Sequence, residues 1–492
     1  MFKITIIILF LLLSNTSNAQ KQMELVQADE LQGDVIKGEP VRILNGNVIF
    51  RNGTTLIYCH RAFQFTNPTR MEMFGRVRIV EENKSTVESD SLFYDNNTKI
   101  ARLRKNVVAT DNKMSLKTNF LDYSMETGDS YYYNNGKMVD DKNTLTSISG
   151  FYNAGIKIIT FKKEVLLQSE NKRLTADSLK YNYQTKTLFF TGPTKIYQDD
   201  IIIHTTSGNY STETENTRFE KRTTIEDSDY KLTGDTLYWD KSTETGKAFG
   251  NIQLTSKNED ITVDGQRGIY NRIQKSSKVW GDAVIKQLLD SDTVCIRADT
   301  LLSLQDSLNY KIVIAFKHAT IFKPDLQGKC DSLVYISRDS LMKMFSDPVM
   351  WAQSSQMSGK FIQAHIVNNK LDYVDIKDNS YMISQDELNN FNQVKGKSVH
   401  AVFKEGKIEK MLVNGNAQSI YYIIDDSKKR KKNKGINYSL SSDMVLYYKK
   451  NKVKNISFLT KPEARFIPLH EIKEEDTRFK DFNWRIGEKP VK

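Results

Sequence analysis

The chain has 492 residues, 39% of them hydrophobic and 27% charged, and one ordinary compact core rarely grows that long, so several domains or a repeating architecture is required. With 8 prolines and 24 glycines it contains no Pro-rich or Gly-rich linker and no low-complexity tract, which favours one continuous repeated body. The net charge of +11 suits anionic partners such as phosphorylated lipid head groups, anionic glycans or a membrane surface, and serves solubility equally well because Lys and Arg are spread along the chain.

In chain order, the first feature is "MFKITIIILFLLLSNTSNAQ". An early lysine, an unbroken apolar run from Ile4 to Leu13, and small residues at Ser17 and Ala19 form the pattern of a cleaved secretory signal. The run is about half the 18 to 20 residues that a spanning helix needs. Residues 1–19 are therefore expected to be removed, leaving an exported protein with no transmembrane span and a net charge of +10 once Lys3 is gone. Nucleic acid is not an expected partner in that compartment.

A repeat follows. Phe65, Tyr94, Tyr123, Tyr152, Tyr181, Tyr210 and Trp239 stand 29 residues apart in succession, and the interval then loosens to 31, 33 and 32 at Tyr270, Ser303 and Tyr335. A period between 20 and 50 residues marks a solenoid or stacked array. Around each aromatic, apolar residues fall on every second position, as in Leu179, Tyr181 and Tyr183 or Val77 and Ile79, the period of a strand with one buried face. A Gly or Lys about 11 residues further on, as at Gly75, Lys105, Lys163, Gly250 and Gly281, opens a second alternating arm. Within "LTADSLKYN", Leu174 and Ala176 are out of phase with Leu179 and Tyr181, so a bulge or corner at Asp177-Ser178 must shift the pleat. The expected fold class is all-β: an elongated antiparallel solenoid of two-strand repeats, each rung folded into a V or a flattened loop.

The recurring corner acids Asp90, Asp177, Asp235, Asp299 and Asp331 read as structural, because an active site is normally built once rather than in every rung. The six histidines show no ligand spacing, and no nucleophile elbow, P-loop or dinucleotide fingerprint is present. The chain reads as no enzyme, with no cofactor and no metal. Cys59, Cys295 and Cys330 are expected as buried small residues; simple alternation puts Cys295 and Cys330 on opposite strand faces, against a bridge.

"LNGNVIFRNGTTLIYCHRAFQF" (Leu44 to Phe65), "MFGRVRIVEENKSTVESDSLFYD" (Met73 to Asp95) and "AFGNIQLTSKNEDITVDGQRGIYN" (Ala248 to Asn271) resemble the G-N-V, alternating strand, A-D-x-x-x-Y pattern of OstA-like proteins, the LptA-type β-jellyroll family of lipopolysaccharide export. The resemblance covers about residues 26–385. It implies a periplasmic, elongated antiparallel β-jellyroll with a V-shaped groove, whose apolar interior shields lipopolysaccharide acyl chains, with the inner-membrane extractor and the outer-membrane insertase as partners through edge-strand contacts. The lipid-facing candidates are then Phe63, Phe65, Leu92, Tyr94, Leu121, Tyr123, Leu179, Tyr181, Leu237 and Trp239. A sealed sandwich core has the same alternation, so an exported structural or adhesive β-solenoid is the rival reading. A polysaccharide-active β-helix would need a carboxylate pair standing apart from the repeat.

Residues 386–492 are expected to form a β-rich cap or docking module. Hairpins are predicted at Glu405-Gly406 and Asn414-Gly415-Asn416. The basic run Lys428 to Lys434 reads as a solvated loop or a head-group contact, and "FKDFNWRIGEKPVK" as a cap or docking tail.

Overall fold

The computed structural model describes residues 23–66, 69–81, 85–111, 114–140, 143–170, 172–258, 260–289, 292–308, 310–352, 354–425, 432–449 and 452–491. The signal expected at residues 1–19 and most of the basic run lie outside them. The described residues form antiparallel β-strands and three short 3-10 turns, with no α-helix, and no helix among them is long and apolar enough to cross a membrane.

The chain divides into two units, residues 1–228 with 236–241, and residues 229–235 with 242–492. The division falls inside the body expected over residues 26–385. At 386 there is no break: strand Lys370–Gln385 pairs with strand Phe391–Lys404 from Gln385↔Phe391 to Tyr373↔Val402.

In unit 1 the strands pair antiparallel, rung upon rung, and residues in register share a face of the sheet. One row runs Met73, Leu92, Leu103, Leu121, Tyr132, Gly150, Phe161, Leu179, Phe190, Gly208, Phe219, Leu237. Its large side chains are buried, Leu179 completely and Leu92 to 1% exposure. Two positions along is the row of the 29-residue period, Tyr94, Ala101, Tyr123, Ser130, Tyr152, Ile159, Tyr181, Leu188, Tyr210, Thr217, Trp239. The period is thus the length of one two-strand rung, measured from a residue to its equivalent two strands on.

The corner has a fixed construction. Lys163 and Glu164 both take left-handed backbone conformations and together oppose Asp177, so the register shifts between Lys162↔Ser178 and Val165↔Ala176. The pleat therefore slips at Asp177-Ser178 as the sequence implies, while the extra residue sits on the preceding strand. The same left-handed pair recurs at Gly46-Asn47, Gly75-Arg76, Lys105-Asn106 and Asn134-Asn135 in unit 1 and at Gly250-Asn251, Gly281-Asp282 and Lys317-His318 in unit 2. Asn414-Gly415-Asn416 is another such corner: Gly415 and Asn416 are left-handed inside strand Lys407–Asp425, so the hairpin expected there is corrected to a mid-strand bulge. The hairpin at Glu405-Gly406 forms as a two-residue turn with both φ positive, closed by Lys404↔Lys407.

Unit 2 stacks longer strands, up to 19 residues in Lys407–Asp425. Its interior is a continuous packed core in which Ala315, Leu333, Ile362, Val374, Met411 and Leu446 have no exposure.

Candidate functional site

At each corner of unit 1 the strands turn, so the segments before and after it form two arms with apolar inner faces. Between these arms lies a cavity of about 280 Å³. Its first wall comes from the two rows above, through Leu92, Leu103, Leu121, Tyr94, Tyr123 and Tyr152; its second from Ile57, Ile79, Val87, Ala109 and Leu116. Leucines line the depth and tyrosines the outer part, which places a ring with one polar tip where apolar lining gives way to solvent. Burial raises the pKa of Tyr94 and Tyr152, with Asp95 and Asp129 adding to the respective shifts, so both phenols stay neutral at ordinary pH.

Toward the mouth the lining becomes adaptable and cationic. Met23, Met114 and Met125 contribute thioethers, and Lys157 and Lys186 ammonium groups, while Met138 continues the second wall beside Leu116. Methionine has three rotatable bonds and a polarizable sulfur and so conforms to irregular apolar shapes. The Tyr183 hydroxyl lies 3.9 Å from Met114 Sδ, linking the end of one arm to the end of the other.

The apex is closed by Tyr132. Its ring fills space that Cβ atoms on Gly136 and Gly150 would invade, each 2.3 Å from a ring carbon, and its hydroxyl is 2.6 Å from Ser147 Oγ. Burial pushes the phenol up to about 12. Ser147 occupies a recurring inward slot just before the corner residue, also held by Ser89, Thr118, Cys59 and Cys330. Ser89, Ser147 and Cys330 each bond the carbonyl two residues on, at 3.1, 3.0 and 3.2 Å. Cys59 and Cys330 are thus small corner residues, and all three cysteines, Cys295 included, are free and buried.

The ten sequence-predicted residues divide into three groups. Leu92, Tyr94, Leu121 and Tyr123 line the cavity. Leu179, Tyr181, Leu237 and Trp239 stand in the same two rows beyond its lining; Leu179 and Leu237 are buried, Tyr181 and Trp239 half-buried. Phe63 and Phe65 are the correction. The row positions on their strand are Ala62 and Gln64, which pair with Met73 and Met71, so both phenylalanines face the other side. There Phe65 packs with Val41, Ile43 and Phe63 in a separate small cluster, beneath the Arg70 guanidinium at 3.7 Å. The reason is one residue of length: the segment from Met71 to Tyr94 is one longer than that from Ala101 to Tyr123, so a 29-residue step back from Tyr94 stops at Phe65, one residue short of the row position Gln64. The second wall and the methionines carry no 29-residue signal of their own; the alternation at Ile79 was the available clue to the wall.

Three of the five corner acids are engaged across the corner itself. Asp90 and Asp235 accept hydrogen bonds from Asn106 and Asn251 at 2.9 and 2.7 Å, and Asp299 lies 3.0 Å from His318 Nδ1. In each case the partner is the second left-handed residue on the next strand.

A model of the family described as OstA-like protein matches residues 20–177 and, overlapping, 151–235. No curated protein matches the chain. Among solved structures it is similar to LptH, "the LptA homologous periplasmic component of the conserved lipopolysaccharide transport device from Pseudomonas aeruginosa", at 13% identity over 20% of this chain and 75% of that one, with a TM-score of 0.19.

Proposed function

Taking the chain as an OstA-like protein through residues 20–235, we propose that unit 1 is a periplasmic lipid carrier that holds the acyl chains of lipopolysaccharide between its arms and passes the lipid toward the outer membrane without chemical turnover. The observation that carries this reading is the apolar cavity between the arms, with a leucine interior, a tyrosine and methionine mouth and two lysines at the rim. Acyl chains gain about 25 cal/mol for each Å² of apolar surface removed from water, while Lys157 and Lys186 suit the phosphates of an anionic head group.

Transfer requires a donor and an acceptor at the two membranes. Strand Glu30–Ile36 pairs along one edge with strand Glu39–Asn52, and its Leu31 and Val35 are 60% and 63% exposed. An exposed edge strand is a template for strand addition, which fits docking to an extractor or insertase of the same architecture. The packed core of unit 2 supports a structural role for that unit, the part of the rival solenoid reading that this account keeps.

The test is apolar-dye binding by the purified protein, with displacement by lipopolysaccharide. Ala101 lies in the tyrosine row, lines the cavity and is 4% exposed. Ala101→Trp fills the space between Tyr94 and Tyr123 and is expected to lower dye and lipopolysaccharide affinity at least tenfold with the β-sheet circular dichroism retained. Unchanged affinity in a folded variant would place the lipid elsewhere.

A further inference from the structure

The aromatic and basic C-terminus is not used by the lipid reading, and it has a defined seat in unit 2. Gln327, Trp351, Gln356, Ile383, Gln393 and Ile420 form one cross-strand row. They lie on the face opposite Met350, Met357, Met382 and Val394, which belong to the main core. A row on an outer face should be wet, yet none of the six is more than 3% exposed.

The cover is the C-terminal segment, which crosses the strands one after another. Gln393 donates from Nε2 to the Thr477 carbonyl at 2.8 Å and accepts at Oε1 from the Phe479 amide at 3.1 Å. Gln356 repeats the contact six residues on, donating to the Asn483 carbonyl and accepting from the Arg485 amide, both at 2.7 Å. Each carboxamide acts as a peptide group of a neighbouring strand would, reading the main chain at residues i and i+2 from a buried, fixed position. Side chains add anchors: Phe479 against Tyr381, Phe482 and Trp484 against Phe391. Ion pairs mark the register, Lys395 with Asp481, Arg485 with Asp347 at 3.0 Å and Lys329 with Glu488 at 2.6 Å. Arg485 and Lys329 hold the Glu488 carboxyl down at about 2. Beneath the segment the Trp351 indole N–H is buried with no acceptor among the described residues, so the occupant leaves one donor of the seat unmet.

We propose that this face of unit 2 is a recognition site for an extended polypeptide, built on the Gln356 and Gln393 carboxamides, and that residues 477–491 are its separable ligand, bound in cis in the free chain. Backbone reading by two side chains, aromatic anchors spaced along the segment and a connector of exposed short turns at Leu469–Glu471 and Glu474–Asp476 are features of a peptide in a receptor. A continuous strand of the sheet would be held by a ladder instead. A partner that docks here must first displace the tail.

The experiment uses the full chain with a protease site placed in the exposed turn Leu469–Glu471, cleaved after folding, and follows the tail by size-exclusion chromatography. The nicked tail is expected to co-elute with the body and to be displaced by excess synthetic peptide of residues 474–491. Gln356→Leu with Gln393→Leu should release it at least tenfold faster. Phe479→Ala with Trp484→Ala alters only the tail and keeps the test valid if the glutamine variant does not fold. Immediate loss of the wild-type tail, failure of the peptide to displace it, or retention by the altered tail as tight as wild type would each overturn the proposal.

Discussion

At the scale of single residues, the corner slot explains the cysteines better than any redox role. Cys59 and Cys330 stand where other rungs place Ser89, Thr118 and Ser147, and burial pushes both thiols up to about 12. A thiol reagent attacks the thiolate, and Cys295 is as enclosed, at 5% exposure. All three should therefore resist labelling at pH 8 in the native protein and react together on unfolding, as read by mass spectrometry with and without denaturant. Labelling of Cys59 or Cys330 in the native state would show that the corner opens. The burial of these residues was legible in the sequence; their shared slot was not, because Cys, Ser, Thr and Ala alternate in it and its requirement is small size.

At the scale of the element, the corner depends on backbone conformation more than on side-chain identity. Gly250 has φ +74°, and a Cβ there would lie 2.6 Å from the Asp235 carboxylate. Gly250→Ala is expected to cost about 1 to 2 kcal/mol from the left-handed conformation alone, with the contact adding to it. Gly192 holds the equivalent place in another rung, has open space at its Cβ and has no left-handed backbone. Gly192→Ala should stay within about 0.5 kcal/mol of wild type, so thermal denaturation of the two variants separates conformation from mere glycine content. A similar loss in both would contradict this account of the corner. Alternation and turn chemistry made the strands readable because each follows a local rule. The identical signature of Asn414-Gly415-Asn416, a bulge, and Glu405-Gly406, a hairpin, was not separable, since both need positive φ and only the pairing partner tells them apart.

At the scale of the whole chain, the period carries the architecture. Its constancy from Tyr94 through Trp239 reflects the equal rungs of unit 1, and its loosening afterwards marks the change to longer strands near the division at residues 229–241. That loosening was visible in the sequence as drift, with no composition change to mark a boundary. Of the candidate site, the tyrosine and leucine rows were legible because register turns a fixed period into a common face, whereas a one-residue difference in hairpin length displaced Phe63 and Phe65. The facing wall required knowing which arms meet across the interior, and the tail's seat required two glutamines whose burial no alternation predicts.

The central claim is that lipid travels against the tyrosine row, and photo-crosslinking in cells tests it most directly. A benzophenone residue at Tyr94 or Tyr123 should yield a lipopolysaccharide adduct, and one at exposed Lys180, on the opposite face of the sheet, should not. Adducts at neither tyrosine, in protein shown to be folded and exported, or equal adducts at Lys180, would contradict the lipid path and leave unit 1 a structural solenoid.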